Sequence, residues 1–284
     1  MRERFVDSAG VRIHVVEDGP EDATPVLFVH GFPEFWWSWR HQMKACADAG
    51  YRAVAMDLRG FGDSDKPDAV ADYAVANSFN DVSAVIDSLG GRTALVSHDW
   101  GGAVGWAYTA FVPDKVERLV VLNAPHVNSY RDLPHDMPQL QASWYMFFFQ
   151  FEGVAEDVLS RNGYELLREW FYGTASVPLA EEDVAKYIEL FARPGALTAG
   201  LNWYRANVPP ASYLSDTRLE LPPIACPTML IWGLDDPYLT FDLAKTAGDH
   251  VTGPFALHAL ADTGHWVQQE RPDEVNELLL DFLT

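Results

Sequence analysis

In the run Val96-Ser97-His98-Asp99-Trp100-Gly101-Gly102 an aspartate stands among small residues. Apolar Thr93-Ala94-Leu95-Val96 ahead of it reads as a buried strand, and Ala103-Val104-Gly105-Trp106-Ala107-Tyr108 behind it reads as the start of a helix. A strand, a sharp turn and a helix with small residues around the turn make a nucleophile elbow. Ser97, Gly101 and Gly102 permit the close backbone approach that such a strained turn demands. A serine at position 99 would predict an esterase or lipase. A carboxylate predicts attack on an electrophilic carbon and an alkyl-ester intermediate. With a reference pKa near ~3.9, Asp99 is expected to be ionised at neutral pH. Aspartate is also a common helix N-cap, so partners elsewhere in the chain must decide between the two uses.

Such a nucleophile needs an acid and then a histidine, in that chain order. After the apolar strand Met229-Leu230-Ile231-Trp232 comes Gly233-Leu234-Asp235-Asp236-Pro237, and after a later strand comes Asp262-Thr263-Gly264-His265-Trp266. Loops at the C-terminal ends of strands are where open α/β sheets build their sites. His265 is therefore the candidate base and Asp236 the candidate orienting acid, with Asp235 as its alternative. Directly after the strand Val26-Leu27-Phe28-Val29, His30-Gly31-Phe32-Pro33 makes a turn in which Gly31 allows a sharp departure and Pro33 fixes the path. The backbone N–H groups of Phe32 and Trp100 are the expected oxyanion donors.

These parts need a sheet to carry them. Strand-like runs recur at Val11–Val16, Val26–Val29, Arg52–Met56, Thr93–Val96, Leu119–Leu122, Thr228–Trp232 and Ala256–Ala259, with helix-length segments between most of them. That alternation predicts a mostly parallel sheet flanked by helices, with an antiparallel pair at its early edge. From about Val127 to Leu219 strand signals vanish and amphipathic helical segments take over, among them Gln139–Phe151, Val154–Ser160 and Gly163–Phe171, punctuated by prolines such as Pro134, Pro138 and Pro178. The expectation is an α/β-hydrolase fold with an inserted helical cap. The core would occupy residues 1–127 and 220–284, and the cap residues 128–219.

A formal charge of −21 argues against nucleic acid and anionic membrane as partners. Two cysteines, Cys46 and Cys226, give neither a disulfide framework nor a metal cluster, so no metal is expected. No apolar run is long enough to span a bilayer, and the start of the chain lacks a signal-peptide segment. A cytoplasmic location is the expectation.

The chain resembles the soluble epoxide hydrolases of the α/β-hydrolase fold over essentially its whole length. The matching stretches are His30-Gly31-Phe32-Pro33-Glu34, Asp57-Leu58-Arg59-Gly60-Phe61-Gly62-Asp63-Ser64 and Ser97-His98-Asp99-Trp100-Gly101-Gly102. Two further segments, Trp144-Tyr145-Met146-Phe147-Phe148-Phe149-Gln150 and Leu201-Asn202-Trp203-Tyr204-Arg205, look like those that carry the family's epoxide-polarising tyrosines. The resemblance thus implies Tyr145 and Tyr204 as donors, a cis bond before Pro33, and a small apolar epoxide and water as reactants, with no cofactor. The phosphatase-like domain of some vertebrate members has no counterpart here, so only hydrolase chemistry is implied. Trp36, Trp37, Phe147, Phe148 and Trp203 are candidates to line the pocket. With phenols as the acids, alkylation is expected to weaken as pH approaches the phenol reference value near ~10.

Haloalkane dehalogenases also place Trp after an Asp nucleophile, so Asp99-Trp100 does not separate the two reactions. Many of them carry Asn where this chain has Phe32, and they have no need of two opposed phenols. A ligand receptor built on a hydrolase fold is a third reading, which fold alone does not exclude.

Overall fold

Successive side chains of a strand point to opposite faces of the sheet, and the buried residues here divide accordingly. Val26 and Phe28 join one apolar cluster with Trp39, Met43, Val275 and Leu279. Leu27 and Val29 join another with Val82, Val104 and Trp106. Both faces are covered, as a mostly parallel sheet requires. The computed structural model describes residues 1–130, 137–214 and 220–284.

Among these residues the strands β1 (Arg2–Ser8), β2 (Val11–Asp18), β3 (Pro25–Val29), β4 (Arg52–Met56), β5 (Thr93–His98), β6 (Val116–Leu122), β7 (Thr228–Gly233) and β8 (Phe255–Leu260) form one sheet. Their order is β1-β2-β4-β3-β5-β6-β7-β8. The first two strands pair antiparallel, as does β2 with β4, and the remaining pairs are parallel. All six residues of β5 are buried. Its C-terminal end therefore lies in the middle of the sheet, flanked by β3 and β6.

Helices α1 (Arg40–Asp48), α2 (Val75–Ser88) and α3 (Trp100–Phe111) follow β3, β4 and β5. Between β6 and β7 lie α4 (Met137–Ala142), α5 (Trp144–Phe148), α6 (Val154–Trp170), α7 (Glu181–Phe191) and α8 (Ala196–Asn207). The short helices α9 (Asp242–Lys245) and α10 (Val267–Glu270) precede the C-terminal α11 (Pro272–Leu283). The aromatic stretch expected as one helix over 139–151 is divided into α4 and α5. Buried Ser143 stands at the break, its Oγ accepting from Gln139 Nε2 at 2.8 Å. Such a local side-chain bond competes with helix continuation. Conversely, α6 runs through two expected helices but is interrupted by non-helical backbone at Arg161–Tyr164. Pro134 and the expected boundary at residue 219 lie outside the described residues.

Candidate active site

The turn between β5 and α3 is tight enough to strain its central residue. Asp99 has φ 51° and ψ −119°, a conformation that non-glycine residues adopt only when their surroundings impose it. Two glycines make room for it. A methyl group at Gly101 would collide with the carbonyls of Val29 and His30, and one at Gly31 with the carboxylate of Asp99 itself. The Phe32–Pro33 peptide bond is cis.

Phe32, in the loop after β3, donates its backbone N–H to Asp99 Oδ1 at 2.7 Å. For the Trp100 amide, the other expected donor, no such bond to Asp99 is present among the described residues. His265, in the loop after β8, places Nε2 at 3.6 Å from Asp99 Oδ2. Its Nδ1 lies 2.7 Å from Asp236 Oδ2. Asp235 is exposed, and its N–H is spent on the carbonyl of Thr263. The other oxygen of Asp236 accepts the N–H groups of Tyr238 and Leu239 at 2.8 and 3.0 Å.

Asn123 completes this arrangement, and sequence reasoning missed it. Its Nδ2 donates to Asp236 Oδ2 at 2.7 Å while its Oδ1 accepts Gly233 N–H at 2.9 Å. One side chain thus fixes the acid and the end of its strand. The available signal was position, since Asn123 directly follows β6 at the edge where such sheets build sites. From below, buried His98 lies between Glu34 Oε2 and the carbonyl of His265, 2.9 Å from each.

Charge pairing decides the protonation states. Burial works against a charged His265, but the charge and hydrogen bond of Asp236, with those of Asp99, outweigh it and push its pKa up to about 10. Burial likewise pushes Asp99 up, yet the hydrogen bond and charge of His265 prevail and hold it below the usual carboxylate value. The resting site is an imidazolium between two carboxylates.

Tyr145 on α5 and Tyr204 on α8 are both buried, with ring centroids 5.8 Å apart and nearly perpendicular. Tyr204 also stands edge-on to Trp100 at 5.1 Å and to Phe149 at 4.9 Å. Burial holds both phenols well above their ordinary value, reinforced by the charge of Asp99. The expectation of a phenol ionising near pH 10 is therefore corrected. Desolvation keeps both hydroxyls protonated beyond that pH, and the group that titrates there is His265.

The expected pocket residues are dispersed. Trp203 is fully buried, donates its indole N–H to the carbonyl of Arg59 at 3.1 Å, and meets Trp100 at 5.8 Å. Trp37 sits at the seam between core and α7, its indole N–H on Asp183 Oδ1 at 2.7 Å and the Lys186 ammonium over its ring. Trp36 packs edge-on to Phe35 and Trp37. Phe148 packs on Trp144 and Trp170, and Phe147 is exposed. The rings that do surround the two tyrosines include Phe32, Phe149, Phe171 and Tyr238. Among the described residues no cluster of three or more His, Cys, Asp or Glu is placed to hold a metal ion, and no helix is long and apolar enough to cross a membrane.

The model of the alpha/beta hydrolase fold family matches residues 24–272. Human epoxide hydrolase 4 is 35% identical over 98% of this chain and 77% of its own length. Epoxide hydrolase A of Mycobacterium tuberculosis is 34% identical, covering 99% of this chain and 97% of its own. The chain belongs to the epoxide hydrolase family of α/β hydrolases. Among solved structures, an epoxide hydrolase from Bacillus megaterium in complex with an inhibitor superposes with a TM-score of 0.89 at 30% identity, covering 99% of each chain. Membership of this family makes the chain a hydrolase.

Proposed function

We propose that this protein hydrolyses epoxides to vicinal diols through an ester on Asp99, and that residues 128–219 act as the cap that closes over it. The observation that carries the reading is a low-pKa carboxylate, held by the Phe32 amide, with His265 beside it and two buried, protonated phenols lying within reach of its charge. Attack needs an anion on one side of the epoxide and a proton donor on the other, since the leaving oxygen stays tethered to the substrate.

Asp99 attacks a ring carbon, the carbon–oxygen bond breaks, and a phenol of Tyr145 or Tyr204 gives its proton to the alkoxide. The ester removes the negative charge of Asp99, so His265 loses one of the two carboxylates that hold its proton. That proton returns, through solvent, to the phenolate. Neutral His265 then takes a proton from water, and the hydroxide adds to the ester carbonyl. The Phe32 N–H, with the Trp100 N–H alongside, receives the oxyanion. Collapse releases the second alkoxide, which takes its proton from His265. The carboxyl of Asp99 returns a proton to the imidazole and restores the starting pair. Asp236, fixed by Asn123, orients the ring throughout.

The test is incubation with styrene-type, cycloalkene and terminal aliphatic epoxides, with chiral analysis of the diols. No diol from any class would defeat the proposal. One observation favours a second reading, haloalkane dehalogenation. The indole N–H of Trp100 is buried and lacks a full hydrogen-bond partner among the described residues, with only the Tyr204 hydroxyl close to it, so it is a donor that a departing halide would engage. Release of chloride or bromide from haloalkanes, without diol from any epoxide, would establish it.

A further inference from the structure

One residue outside the proposed machinery touches three of its parts. Tyr238, in the loop that carries Asp236, donates its backbone N–H to Asp236 Oδ1 at 2.8 Å. Its buried ring stands edge-on to His265 at 5.4 Å and edge-on to Tyr145 at 5.5 Å, and so touches both base and phenol. Its hydroxyl points the other way. It donates to the carbonyl of Trp170 at 2.5 Å and lies 2.8 Å from Thr174 Oγ1. Trp170 ends α6, and its ring and that of Phe171 pack edge-on to Tyr145 at 6.0 and 5.9 Å. Phe171 also stacks on Tyr238 itself, with centroids 5.6 Å apart.

We infer that Tyr238 is a positioning residue that ties the 170–174 segment of the helical insertion to the triad, so that Tyr145 and His265 are set from one anchor. The inference rests on the proposed epoxide hydrolysis. It separates two functions within one side chain. The hydroxyl fixes the segment against which Tyr145 packs, and therefore governs ring opening. The ring packs edge-on against His265 and holds the imidazole in place, and therefore governs ester hydrolysis. A merely structural tyrosine would affect both steps together or neither.

Tyr238→Phe keeps the ring and backbone and deletes only the hydroxyl. Rapid-mixing measurement of ester formation should show alkylation slowed about 10-fold, since small misplacements of a reacting group cost this much, with ester hydrolysis within about twofold of wild type. Tyr238→Leu, which also removes the ring, should slow hydrolysis as well. Thr174→Val removes the partner hydroxyl and leaves Tyr238 intact. It should slow alkylation in the same direction by about threefold, and it carries the test if Tyr238→Phe does not fold. Wild-type alkylation in both hydroxyl variants, or equal slowing of both steps, overturns the inference. If the wild type forms no ester with any epoxide, the functional reading fails instead. The coupling is then read from the His265 ring 15N titration. Its midpoint should fall in Tyr238→Leu, where water screens the two carboxylates, and stay in place in Tyr238→Phe. An unmoved midpoint in Tyr238→Leu overturns the inference by that route.

Discussion

If ester formation turns His265 from a cation into a base, an uncharged group at position 99 should do the same without substrate. Asp99→Asn supplies it, since the side-chain carbonyl can still accept the Phe32 N–H while the charge, and with it the acceptor that faces His265, is lost. The lost carboxylate oxygen lies 3.6 Å from His265 Nε2. At an effective dielectric of about 20 to 40, that separation is worth roughly 2 to 5 kcal/mol. At 1.36 kcal/mol per pH unit, this corresponds to roughly two to three pH units. His265 should therefore fall from about 10 in the wild type to roughly 7 or 8, close to the operating pH that suits a general base. The assay is the 15N chemical shift of the His265 ring against pH in both proteins. The same shift has a stability consequence. His265 is raised on folding, so its contribution is fully present below its ordinary value of 6.5 and is lost as pH rises through about 10. The wild type should lose stability across that interval, and Asp99→Asn should do so less and at lower pH. A His265 midpoint that stays near 10 in Asp99→Asn would refute the reasoning, because the imidazole would remain a cation in the ester and have no capacity to take a proton from water.

His265→Gln should permit alkylation but not hydrolysis, so intact-protein mass spectrometry after mixing with epoxide should show one added substrate mass, mapped to Asp99. An adduct elsewhere, or full turnover, contradicts the assignment. Single Tyr145→Phe and Tyr204→Phe variants should slow ester formation by ~10²-fold or less, because one donor remains, while the double variant should lose nearly all of it. Wild-type alkylation by the double variant removes the role given to the phenols. Asp236→Asn should slow ester hydrolysis far more than Asp235→Asn, since Asp236 lies 2.7 Å from the imidazole and Asp235 faces solvent. The reverse ranking of hydrolysis rates would place the acid at Asp235.

Much of the site is legible because its chemistry is bound to local pattern. An aspartate between a buried strand and small residues announces the elbow, since only small residues fit where Gly101 meets the carbonyls of β3. The antiparallel edge and the helical stretch between β6 and β7 follow from periodicity. Local pattern fails where a distant partner decides. The single helix expected over 139–151 breaks at Ser143, which is bonded to Gln139, whose Nε2 also reaches the carbonyl of Tyr238. Trp37 looks like pocket lining until Asp183, far along the chain, takes its indole N–H. Asn123 carries no signature of its own and gains meaning only when β6, β7 and the loop after β8 lie side by side.

The sequence by itself therefore determined the fold and the chain order of the proposed nucleophile Asp99 and its proposed partners, because strand and helix periods and the steric demands of one tight turn are short-range properties. Tertiary structure alone decided how far these groups depart from their ordinary protonation. The high pKa of His265, the low one of Asp99 and the suppressed ionisation of Tyr145 and Tyr204 depend on burial and on charges brought together from separate parts of the chain. Electrostatic energy depends on separation in space and on the exclusion of water, and neither is written in the spacing of residues along the chain.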